Sequence, residues 1–234
     1  MRMDLKSYFE NEKKKISALT PGQKIFYVIE YYWLWIGAVF FALFFAGYLI
    51  HNMFFRIHEN WFYILFTNIM PEESVIREIQ EDYAAYAGYD LSEKNVVIGA
   101  SSYFDASVSG GTNNAYYQVF TAAVEAGDLD AVIMEEDNLK AVGASGILLD
   151  LSSGEYADLF APYEDRFVYT VPYDESYSTS PVPVGIDISS SLLSEKYHLY
   201  EEGCVLGAGN HMGHPEALKA FLEFIGIERE GDQP

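Results

Sequence analysis

The sequence predicts an α/β fold: an N-terminal transmembrane helix followed by one domain with a largely parallel sheet. Three observations carry this expectation. Residues 31–55 contain no Asp, Glu, Lys or Arg. Beyond them, short β-branched and aromatic runs alternate with stretches of helical periodicity, the pattern of βαβ units. The charge is also split, with residues 1–31 at net +2 and the remainder at −23 within a total of −21.

The uncharged run of 25 residues makes about 37 Å of helix, against a hydrocarbon core of about 30 Å. Its centre is apolar on every face, which suits lipid better than a half-buried helix. Tyr31, Tyr32, Trp33 and Trp35 flank one side, and Tyr48 and Trp61 the other, as headgroup-level aromatics do. The run is too long for the core of a cleavable signal, and its end, His51 to Phe55, is too bulky for a cleavage site, so it reads as a signal anchor. Lys and Arg concentrate before it, in a cytoplasmic basic tail over residues 1–30. The span is residues 31–55, and residues 56–234 form an extracytoplasmic domain. The expected location is the cell membrane, single-pass, with the lipid bilayer as first partner.

Within the domain, Trp61 to Thr67 is aromatic and β-branched, hence a strand. Pro71-Glu72-Glu73 opens a helix, with Val75, Ile76, Ile79, Tyr83 and Tyr86 on one face and Gly88 as its stop. Asn95 to Gly99 is the second strand. Gly110 to Asn114 is a loop and cap, followed by a helix from Tyr116 to Ala126 that Gly127 ends. Asp130 to Met134 is the third strand, and Glu136 to Ala144 a short helix stopped by Gly146. Phe167 to Val171 and Val182 to Asp187 read as strands joined by a polar loop, Asp174 to Ser180. Pro183 places the latter at a sheet edge or at a strand start. Cys204 to Ala208 is a last strand, and Pro215 to Ile225 a terminal amphipathic helix.

Composition narrows the function. A net charge of −21 disfavours nucleic acid, whose phosphates require Lys and Arg. One cysteine makes neither an internal disulfide nor a four-Cys zinc site. No nucleophile–base arrangement and no Gly-rich cofactor fingerprint is legible, so no cofactor and no enzymatic activity are expected.

Ala126-Gly127-Asp128-Leu129-Asp130-Ala131-Val132-Ile133-Met134 resembles a segment of the extracellular solute-binding proteins of ABC importers. Gly146-Ile147-Leu148-Leu149-Asp150-Leu151 and the helix from Pro215 to Ile225 resemble two further segments of that family, in the same order. Thr20-Pro21-Gly22-Gln23-Lys24, then Tyr31-Tyr32-Trp33 and the span, is similar to a group of single-span membrane proteins of Gram-positive bacteria. The resemblance implies membrane anchorage and a type 2 periplasmic-binding fold. It supplies no activity. The domain's 179 residues suit one lobe, whereas the family's ligand cleft lies between two, and no lipobox cysteine is present.

Ligands of open α/β sheets bind beyond the carboxyl ends of the strands. That rule nominates Asn68, Ser101, Ser102, Tyr103, Glu135, Glu136 and Asn210, with Ser101 and Ser102 as donors and Tyr103 as a stacking ring. Ordinary strand-end and capping roles account for the same residues. Ser109 to Thr112 precedes a helix like an anion loop, but it lacks a P-loop lysine. His211 and His214, with Cys204 and His198 near in sequence, nominate a metal site, against a plain pair of surface histidines. Cys204 itself reads as a small core residue. Acid runs at Glu135-Glu136-Asp137 and Tyr163-Glu164-Asp165 lack calcium-loop spacing and read as solvated charge. Three functions follow in order: a non-catalytic recognition or accessory domain of a membrane complex, a small-molecule sensor or uptake accessory, and a metal-dependent surface hydrolase. Partners beyond the bilayer are then other membrane proteins or a small ligand.

Overall fold

A computed structural model describes residues 10, 13–54, 60–174, 176, 178–200 and 203–227. The chain divides into two compact units, Met1–Arg56 and Ile57–Pro234. The first nine residues of the expected basic tail and Phe55 at the expected end of the span lie outside the described residues.

The first unit is dominated by α1, Pro21–Phe54. It begins ten residues before the uncharged run, where the Gln23 side chain reaches back to Thr20, as in one half of a capping box. The Thr20 amide and hydroxyl both donate to Gln23 Oε1, at 3.1 and 2.9 Å. Residues Ile29–His51 within it contain an 18-residue window of mean hydropathy 2.1, none of it buried in protein. This is one helix long and apolar enough to cross a membrane.

The second unit is a three-layer α/β structure. Its strands are β1 (Asn60–Thr67), β2 (Asn95–Ser102), β3 (Ala131–Met134), β4 (Phe167–Thr170), β5 (Val182–Asp187) and β6 (Val205–Ala208). They form a six-stranded sheet in the order β2-β1-β3-β6-β5-β4. The pairs β1–β2 and β1–β3 are parallel, as βαβ alternation predicts. The pairs β3–β6, β6–β5 and β5–β4 are antiparallel. The parallel expectation therefore holds for one half of the sheet. In the other half no helix crosses between β4 and β5 among the described residues, and only a parallel pair requires such a crossover. Pro183 sits at the start of β5, which is an inner strand, and the ladder shifts register opposite it.

The helices are α2 (Glu73–Ala87), α3 (Ala115–Ala126), α4 (Glu136–Ala144), α5 (Ala157–Phe160), α6 (Leu192–Glu195) and α7 (Pro215–Phe224), with a 3-10 turn at Ala161–Arg166. Left-handed Gly88 and Gly127 end α2 and α3 as expected. Pro71 precedes α2 and stands outside it. The short turns α5, α6 and the 3-10 segment have no periodicity that a sequence reading detects.

Strand alternation distributes the core over two faces. Phe62, Ile64, Phe66, Ile133 and Leu206 pack on α2 and α7 side chains, including Tyr83, Leu218 and Phe221. Leu65, Val132, Met134 and Val184 face the opposite side, with Phe120 and Val124 of α3 and Leu139 and Val142 of α4. Gly143 lets α4 approach β5, since a Cβ there would stand 2.7 Å from the Val184 side chain. Trp61, expected at the headgroup level, is instead a half-buried residue of β1. Its ring lies 4.4 Å from that of His214, with the Lys94 ammonium 3.8 Å above it.

Candidate functional site

The carboxyl ends of β1, β2, β3 and β5 share one edge of the sheet with the start of β6. That edge is closed by side chains bonded to backbone. The Tyr200 hydroxyl reaches Thr67 O at 2.8 Å and Ile133 O at 2.9 Å, and Thr67 Oγ1 donates to Ile133 O at 3.3 Å. Tyr200 and Asn68 both hold left-handed backbones, with φ of 57° and 60°. Asn68 spends both ends of its amide on Phe104, donating to its carbonyl at 3.0 Å and accepting its N–H at 3.1 Å. Buried Asn138 donates to the same carbonyl at 2.9 Å and accepts the Ala106 N–H at 2.7 Å. Two asparagines thus staple the loop that leaves β2.

Beside this staple is a cleft of about 420 Å³. Among the described residues Asp105, Glu135, Glu136, Asp137 and Asp187 line it without a Lys or Arg, although Lys140 pairs with Glu136 from outside the lining. Ser107 and Ser189 hydroxyls donate to Asp105 and Asp187, each at 2.5 Å. Ser189 Oγ also accepts the Cys204 N–H at 3.2 Å. Glu136 and Asp137 stand in the first turn of α4, where the helix dipole stabilises anions. The arrangement suits a cation and repels an anion. Cys204 is among the lining residues, and its thiol is buried, with its pKa pushed up to about 12, first by burial and then by the Asp187 charge. A thiol held neutral is a weak nucleophile.

The structure treats the nominated residues unequally. Glu135 and Glu136 line the cleft, while Asn68 lies beneath the same edge as a staple. Ser101 is exposed and Ser102 half-buried at the end of β2, outside the cleft lining. Tyr103 donates its hydroxyl to Ile69 O at 3.0 Å and packs edge-on against Tyr116. Asn210 is at the opposite edge of the sheet. β6 runs antiparallel to β3, so its carboxyl end meets the start of β3, where Gly209 N–H donates to Asp130 O. There Asn210 donates to Gly146 O at 3.0 Å. Asp105, Asp187 and Ser189 were missed, although the strand-end rule that found Glu135 also points to the end of β5.

His211 and His214 share that opposite edge. His211 is exposed, and the His214 ring packs on Trp61. Among the described residues no group of three His, Cys, Asp or Glu side chains is placed to hold a metal ion. The loop at Ser109 to Thr112 leads to Asn114, whose side chain caps α3 by accepting the Tyr117 N–H at 2.9 Å. No family model, no curated protein and no solved structure matches this chain.

A buried anchor was also missed. Asp130 is 2% exposed. Its Oδ2 accepts the Tyr63 N–H at 2.9 Å, and its Oδ1 accepts those of Gly213 and His214 at 3.1 and 3.2 Å. One carboxylate therefore ties β1 to the loop that starts α7. Burial raises its pKa above the ordinary value, and the three N–H donors oppose that rise.

Proposed function

We propose that this chain is a single-pass membrane protein whose α/β domain stands outside the cytoplasm as a non-catalytic recognition or accessory domain of solute-binding-like fold. The apolar stretch Ile29–His51 carries the reading: it contains an 18-residue window of mean hydropathy 2.1 that no protein surface covers. The excess of Lys and Arg before it sets the orientation. The test places single cysteines in the full chain in intact cells, at exposed Lys13 (Lys13→Cys) and exposed Ser153 (Ser153→Cys). A membrane-impermeant maleimide should label the second and spare the first. Labelling of Lys13→Cys alone, or of neither, sinks the reading.

The acidic cleft favours a second reading, that of a small-molecule sensor or uptake accessory. Five carboxylates line the cleft, Lys140 pairs with only one of them, Glu136, and the remaining negative charge favours a positively charged solute. Spermidine is the probe. At a hundred times its dissociation constant a ligand adds about 2.7 kcal/mol. The full chain should melt higher with spermidine, and Asp187→Asn should remove the shift. A flat response to spermidine, or a shift that Asp187→Asn leaves intact, rejects this reading.

A further inference from the structure

We propose that a second cleft, between α5, the 3-10 turn and the start of α7, binds a short peptide with a free amine and a free carboxylate. The cleft measures about 500 Å³, within the range of small-molecule sites. It is separate from the acidic one. Pro215 opens α7 directly after His214, which Asp130 holds at the amino end of β3.

Its walls differ from those of the acidic cleft. Tyr156, Leu159, Pro162 and Pro215 offer an aromatic ring, an aliphatic chain and two rigid pyrrolidines. Fully buried Tyr163 is part of the lining. Such surfaces cover the apolar body of a ligand at little entropic cost, because prolines and a buried ring have no freedom to lose. The charges are of both signs: Glu155, Asp158 and Glu216 against Lys219. Lys219 is exposed and makes no ion pair among the described residues. Its ammonium is therefore free to meet a ligand carboxylate, beside the positive end of α7. The carboxylates then face ligand amines, and their excess over Lys219 selects a peptide with more amines than carboxylates.

The dipeptide Lys-Phe has that balance, with two ammonium groups, one carboxylate and an aromatic body. Calorimetric titration of the full chain in lipid nanodiscs should show saturable binding of Lys-Phe. Amidating its carboxylate, or the exposed change Lys219→Ala, should weaken binding tenfold or more. Glu216→Gln, also at an exposed position, should weaken it in the same direction. Asp187→Asn in the acidic cleft should leave it unchanged, which separates this site from the one above. Absence of saturable heat up to millimolar peptide overturns the proposal. So does binding that amidation, Lys219→Ala and Glu216→Gln all leave intact, or that Asp187→Asn abolishes.

Discussion

Asp130 is a buried carboxylate held by three backbone N–H groups, with no Lys or Arg among its hydrogen-bond partners. Replacing it by Asn keeps the shape and one acceptor oxygen. The new amide group then confronts at least one of those N–H donors, and an unmet buried donor costs about 1–3 kcal/mol. Asp130→Asn should therefore lower the denaturation midpoint by that amount, measured on the full chain at neutral pH. The pH dependence has a definite sign. Burial raises the folded pKa of Asp130 above the unfolded value near 3.8. The folded state therefore holds the proton more tightly. Stability from this group is fully present below the unfolded value and is lost as pH rises through the raised folded value. Asp130→Asn should remove that component. If wild type and variant keep a constant gap across this window, Asp130 does not titrate as described.

At the scale of elements, α2 and α6 are joined by a charged clamp. The Lys196 ammonium lies 3.3 Å from Glu78 Oε1 and 2.5 Å from Asp82 Oδ2, and the Tyr197 hydroxyl donates to the same Asp82 oxygen at 2.7 Å. Hydrogen bonds from Lys196 and then Tyr197 hold the Asp82 carboxyl below its ordinary pKa. Its stabilisation is present above the unfolded value near 3.8 and lost as pH falls through the depressed folded value. The Asp82 side chain is 39% exposed, so water and salt screen the pair. Asp82→Ala should give a small drop in Tm at pH 7 that vanishes in strong acid. A large drop that persists in strong acid would mean the residue acts through packing. The short α6 was invisible to sequence reading because four residues carry no period. Long α1 was visible because its apolar stretch runs for several turns.

The whole molecule carries its charge unevenly, and that bears on the spermidine test. Residues 32–234 hold −23, so long-range attraction for any cation adds to contacts inside the acidic cleft. Raising salt should shrink the general part, while Asp187→Asn should remove the local part at every salt concentration. The apolar span, the strand and helix order, the Gly88 and Gly127 stops and the acidity were all legible in the sequence, because each depends on neighbours along the chain. Glu135 was legible for a related reason: a strand followed by a helix exposes its carboxyl end. Asn210 was misplaced because that rule needs the strand's direction, and β6 reverses against β3. Asp130 looked like an ordinary strand start, since its three partners lie 67 to 84 residues away. Strand direction, the convergence of Asp105, Glu135 and Asp187 on one cleft, and the stapling of Phe104 by Asn68 and Asn138 join residues distant in sequence. Local propensity carries no information about such pairings. The sequence by itself determined the strands, the longer helices and one helix apolar enough to cross a membrane. Only the tertiary structure decided which side chains those elements bring together, because packing acts through space.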